Sequence, residues 1–236
     1  FYARYYQQGR CMIFVAGLLP DNIVEQIEKN FGGLPFGGSE KPDLPLSAPE
    51  PAVQKKYRIV NDPEGVQGAI RIARNFPNRH HPDFQKMLVL NNLFGGFFGS
   101  RLMANIREDK GYTYGIHSYL TNLIQESNLM ISTEAGKDVC EATIKEVYLE
   151  MNRLCNEPVP EEELQITRNF MIGTLLGDLD GPFQVAGRWK SLLLNGLTED
   201  YFYKGVEVIK TVTAKDLQEL ANKYLRPEDF YELVVQ

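Results

Sequence analysis

The chain has 236 residues, 43% of them hydrophobic and 24% charged, with 31 acidic against 25 basic side chains and a net charge of −6. Those proportions are ordinary for a globular protein and exclude a disordered, collagen-like or coiled-coil chain. A net negative chain without a run of five basic residues argues against nucleic-acid binding. The longest apolar run, Met12 to Leu19, stops at Pro20, far short of the ~20 residues a membrane span needs.

In chain order, Cys11 to Leu19 reads as a short buried strand. Pro20, Asp21 and Asn22 then open a helix, whose Ile23, Ile27 and Phe31 share one face. Gly32-Gly33 is expected to end it in the left-handed conformation. Residues 35–54 form a proline-rich connector, with five prolines between 35 and 51. Tyr57 to Val60 and Val66 to Arg74 read as two strands joined at Asn61-Asp62-Pro63. A helix follows from about Pro82 to Phe94, broken by Gly95-Gly96-Phe97-Phe98-Gly99. Ser100 is placed to cap a second helix carrying Leu102 and Ile106, which Gly111 stops. Tyr112 to Leu120 and Ser127 to Ala135 pattern as a hairpin.

The remainder is mostly helical. Asp138 with Glu141 resembles a capping box, and Ile144, Val147, Met151 and Leu154 supply that helix's apolar stripe. Leu164, Met171 and Leu175 mark the next helix, and Pro182 to Leu194, ended by Gly196, the one after. Thr198 and Thr213 are expected caps for two more, Pro227 stops the last, and Phe230 to Val235 is a closing strand. Strands and helices cluster and do not alternate. The expected fold is therefore α+β, with a mostly antiparallel sheet flanked by helices and a helix-rich C-terminal half, forming a single domain over residues 1–236.

Little in the sequence invites metal chemistry. Cys11, Cys140 and Cys155 contain no C-x-x-C pair and are read as three free thiols. His80-His81 lies in a loop between prolines, and neighbours on a chain rarely share one metal; His117 stands alone on a strand. Neither H-x-x-E-H nor H-E-x-x-H occurs, so no metal site and no catalytic residue is assigned to this chain. The Gly95, Gly96, Gly99 and Ser100 turn precedes a helix, yet lacks the lysine of a phosphate loop. It reads as a flexible turn between helices, or as one whose bare backbone lets an extended peptide pass.

The most informative stretch runs from Ser100 to Tyr114. Arg107 falls in the last turn of a helix and Tyr114 on the strand leaving it, seven residues later. Both side chains can reach one point, one with a fork of N–H donors and the other with a phenol O–H. Aimed at a peptide carbonyl, they would hold it and steady the negative charge that grows there during attack. The plainer alternative is a surface arginine near a helix end and a tyrosine packed in a sheet.

Phe98-Gly99-Ser100-Arg101-Leu102, followed by Ile106-Arg107-Glu108-Asp109-Lys110-Gly111-Tyr112-Thr113-Tyr114, resembles the pitrilysin- or insulinase-like zinc peptidases, the inverzincins, and their processing-peptidase branch in particular. Asn30 to Pro35, Asp83 to Leu93, Glu161 to Leu164, Leu194 to Leu197 and Tyr231 to Val235 extend the resemblance in the family's order. It implies similar α+β domains facing each other across a chamber. One domain carries H-x-x-E-H and a downstream Glu, holding zinc and supplying the base; the facing domain carries an Arg and a Tyr seven apart that bind substrate. Arg107 and Tyr114 match that pair. The chain is thus expected to be the non-catalytic, substrate-binding half of a zinc metallopeptidase, binding no cofactor itself. Zinc is expected on an H-x-x-E-H domain in the same polypeptide or a partner chain, and an unfolded peptide is the expected substrate. An assembly module that kept the fold without activity is the alternative. The sequence opens at Phe1 without Met and reads as part of a longer protein, with bacterial periplasm and cytoplasm both open.

Overall fold

The computed structural model describes residues 11–33, 52–123 and 126–236. They fall into two compact units. The smaller holds the described residues 11–33 together with 177–194. Its helix α1, Ile23–Phe31, lies where the sequence puts it. Gly32 closes it in the right-handed conformation (φ −64°), against the left-handed expectation. Residues 11–19 are not a strand: they carry no regular secondary structure, and Met12, Ile13, Phe14, Val15, Leu18 and Leu19 are exposed. Gly17, at φ +119°, breaks the extended line inside the run, and an apolar run without a pairing partner does not define a strand. The connector lies outside the described residues up to position 51; residues 52–54 have no regular structure.

The larger unit spans residues 52–176 and 195–236. Its five-stranded sheet is built from β1 (Lys56–Ile59), β2 (Gln67–Phe76), β3 (Thr113–Asn122), β4 (Ser127–Gly136) and β5 (Tyr231–Val235), in the order β1-β5-β2-β4-β3. Every pairing is antiparallel except β1 with β5. The closing strand thus inserts between β1 and β2, the two strands joined at Asn61-Asp62-Pro63. Period-two burial is clear: Ile70 and Ile72 of β2, Leu129 and Ile131 of β4, and Val234 of β5 point into one core.

Helices cover that apolar face. Helix α2 (Phe84–Asn91) buries Met87, Val89 and Leu90. Helix α3 (Cys140–Asn156) buries Ile144, Val147, Met151 and Leu154, the stripe read from sequence. Its expected capping box is not formed. Lys137–Val139 make a 3-10 turn, Val139 occupies the cap, and Glu141 pairs with Arg58 of β1. Helix α4 (Glu161–Gly177) is anchored by Leu164, whereas α5 (Pro182–Leu194) belongs mainly to the small unit. Helices α6 (Glu199–Thr211) and α7 (Ala214–Tyr224) follow. Thr213 caps α7 in a full capping box with Asp216; Thr198 precedes α6 without a side-chain cap bond.

A buried carboxylate fastens β5 to its neighbours. Glu232 is 1% exposed and takes bonds from Arg58 Nη2 (2.7 Å) and Tyr148 Oη (2.8 Å), with Lys56 Nζ at 2.9 Å. Burial alone would push its carboxyl up, but these partners outweigh burial and hold it below the usual carboxylate value. Burial and the same carboxylate push the Tyr148 phenol well up.

Candidate substrate-binding site

The segment between α2 and β3 does not continue as ordinary helix. Asn92–Gly96 form a widened π-type turn, π1, that kinks at Gly95 (φ −157°, ψ 18°), and Met103–Asp109 a second, π2. Such widened turns recur at functional sites. π1 is pinned to β3: the Asn91 amide donates to Ser118 O (3.1 Å), and the Ser118 hydroxyl donates back to Asn91 O (3.3 Å). Gly95 is buried there. A Cβ on it would sit 2.6 Å from Ser118 Oγ and 2.8 Å from Ser118 N, so its bare backbone serves close packing against the strand. Ser100 is buried as well, and it opens π2 through its carbonyl, which accepts from Ala104 N–H, without a side-chain cap. Gly96 is half-buried, and Gly99 alone of these four is exposed.

Between the two π-turns the chain makes a tight turn, closed by Ser100 N–H donating to Phe97 O (3.1 Å). Phe97, in extended backbone, stacks its ring on Phe170 of α4 at 4.6 Å and 18°. Phe98, the second residue of that turn, stands at its tip, 62% exposed.

π2 buries Met103 and Ile106 and leaves Arg107 on its outer side, 25% exposed. The helix ends as Lys110 N–H reaches Asn105 O (2.9 Å), Tyr112 N–H reaches Ile106 O (3.0 Å), and Gly111 adopts φ +65°. Next comes a bulge. Thr113 pairs with Ala135 and Ile116 with Thr133, so Tyr114 and Gly115 both face the single residue Glu134. The Thr113 hydroxyl fixes it, donating to Glu134 O (2.6 Å) and accepting from Gly115 N–H (3.1 Å). The Thr133 hydroxyl donates to Gly115 O (2.9 Å). In a regular strand Tyr114 would share the buried face of Ile116 and Ser118. The bulge turns it outward instead, 92% exposed.

Arg107 and Tyr114 meet. The guanidinium carbon lies 5.4 Å from the Tyr114 ring centroid and 4.5 Å from that of Phe98. Arg107 Nη1 lies 3.2 Å from Glu108 Oε1. A cation with in-plane N–H donors and a phenol O–H thus share one exposed rim, within cation–π range of two rings. Phe98 is the member that spacing does not single out. Its sequence signal is a large apolar side chain in a glycine-flanked turn. Beneath the rim, Arg101 clasps Glu163 of α4 through two bonds (2.7 and 2.9 Å), and buried Glu150 of α3 accepts from Asn105 (2.7 Å) and Arg153 (2.7 Å). These pairs fix π2 against the helices behind it.

The histidines stay apart. His80 and His81 lie in a turn, where His81 Nδ1 accepts from Asp83 N–H (3.2 Å), and His117 is exposed on β3. The residues present do not fit a zinc ion: among the described residues no group of three or more His, Cys, Asp or Glu is arranged to hold a metal. Cys11, Cys140 and Cys155 are free thiols. No helix among the described residues is long and apolar enough to cross a membrane.

The fold is that of a peptidase domain. A crystal structure of a peptidase M16 inactive domain from Pseudomonas fluorescens covers 92% of this chain and 51% of its own at a TM-score of 0.76 and 21% identity. A protease from Helicobacter pylori covers 94% of this chain and 54% of its own at 0.79 and 17% identity. The chain belongs to the peptidase M16 inactive domain family, whose model matches residues 1–171. It is also 27% identical, over 176 residues, to YmxG of Bacillus subtilis, an uncharacterised zinc protease, covering 75% of this chain and 42% of that protein. The chain spans about half the length of the curated relatives it matches.

Proposed function

We propose that this chain is the substrate-binding, non-catalytic half of a zinc peptidase, closing over an unfolded peptide opposite an H-x-x-E-H domain. That domain, on the same polypeptide or a partner chain, holds the zinc; this chain contributes no ligand to it. The supporting observation is the meeting of Arg107 and Tyr114 on an exposed rim, brought about by a π-turn on one side and a bulge on the other.

In this reading a peptide carbonyl oxygen accepts one N–H from Arg107 and the O–H of Tyr114. Both bonds strengthen as negative charge grows on that oxygen, so they favour the transition state over the ground state. Neither residue needs to exchange a proton. Their work is to orient the peptide and to stabilise charge. The exposed turn at Gly99 leaves backbone where an extended peptide passes.

The test uses the full-length protein, or this chain reconstituted with its H-x-x-E-H half. Arg107→Ala and Tyr114→Phe should each lower kcat/KM, by up to the ~10²–10³-fold known for loss of one oxyanion donor and by less at so open a site. Melting temperature should stay near the parent's, because Tyr114 is exposed and its ring is kept. Activity within about twofold of the parent in both variants would leave a module that kept the fold for assembly.

A further inference from the structure

We propose that Phe98 is a positioning residue: its ring holds the Arg107 guanidinium in the orientation that donates to the peptide carbonyl. The inference rests on the substrate-binding reading of Arg107 above.

Arginine is a long side chain with much rotamer entropy to lose when it is fixed. Here it is 25% exposed, and its ion pair is with Glu108, itself largely exposed, which restrains it weakly. Phe98 is the nearer of its two rings, at 4.5 Å against 5.4 Å for Tyr114. An arginine laid over a ring keeps its N–H donors available in the guanidinium plane, so the contact restrains the group without consuming the bonds it offers to substrate.

Phe98 has no competing structural duty. Its ring is 62% exposed and is absent from the apolar core. The turn that carries it is already anchored twice, by the Phe97 stack on Phe170 and by the Ser100 N–H bond to Phe97 O. Gly99 lets the turn close onto the Phe97 ring, since a Cβ there would lie 2.8 Å from it. The turn therefore presents Phe98 from a fixed base.

The experiment is a double-mutant cycle in the assembled peptidase, with Phe98→Leu, Phe98→Trp, Arg107→Ala and the Phe98→Leu/Arg107→Ala pair. Leucine keeps an apolar side chain and loses the ring face. It should lower kcat/KM about three- to tenfold, mostly in kcat, at an unchanged melting temperature. Tryptophan should restore the parent rate. In the Arg107→Ala background, Phe98→Leu should cost nothing further. Phe98→Leu at the parent rate overturns the proposal. So does an equal loss with and without Arg107, which would mean that the ring acts on the substrate directly. If Arg107→Ala is itself harmless, the substrate-binding reading fails first and this one falls with it, an outcome the cycle separates from the other two.

Discussion

Asp216 shows how far one side chain can carry a helix end. Its carboxylate accepts from Lys86 Nζ of α2 and from both the hydroxyl and the backbone N–H of Thr213, closing the α7 capping box. The Lys86 bond, followed by those from Thr213, lowers its pKa to about 2. A depressed carboxylate stabilises the fold above its unfolded value, near 3.9, and loses that contribution as pH falls through the folded value. The window is therefore about pH 4 to 2. Asp216→Asn should unfold about 1–2 kcal/mol more easily than the parent at pH 5, with the gap closing towards pH 2. Urea unfolding of both proteins at stepped pH measures it, and a gap that stays constant below pH 4 would rule out the carboxylate as its source. Arg107 and Tyr114 are legible as a spaced pair because residue type and separation are linear properties. Phe98 is not, since its partnership depends on a turn bringing it back over a residue nine positions later.

Elements were legible where their cause is local. The β3–β4 hairpin, the stripe of α3 and the full extent of α5 follow from alternation, period and bounding Pro or Gly. Where the cause is a neighbour, the pattern is silent. The bulge at Tyr114-Gly115 adds one residue that alternation cannot register, and it decides whether the tyrosine is packed or presented. π2, and π1 as far as Phe94, read as ordinary helix because over so few residues a widened turn carries the same apolar spacing, while Gly95-Gly96 read as the break. Residues 11–19 mislead for the opposite reason, an apolar run with no partner strand among the described residues. Gly95 is the tightest joint between these elements. Gly95→Ala would drive a Cβ into the Ser118 backbone and Leu102, and it should destabilise by about 1–3 kcal/mol, lowering the melting temperature by several degrees. A Gly95→Ala protein that melts with the parent would mean π1 can lift from β3 without penalty.

Taken whole, the molecule has an apolar core in its larger unit and an exposed rim where Arg107 and Tyr114 meet, and it offers no set of metal ligands among its described residues. The purified chain is therefore expected to hold far less than one zinc after dialysis and to leave peptides uncut until an H-x-x-E-H half is added. Metal analysis and a chelator-controlled cleavage assay check both points; one zinc per chain, or cleavage indifferent to the added half, would reverse the assignment. One feature of the sheet also bears on how the protein is made. Ala69 of β2 pairs with Val235 of β5, and β1 joins the sheet only through β5. During synthesis on the ribosome, β1 and β2 wait for their shared neighbour while residues 77–230 are made and residues 231–235 follow. While that stretch is made the nascent chain carries a vacant slot beside β2, the kind of unpaired edge on which chaperones act and through which neighbouring chains aggregate.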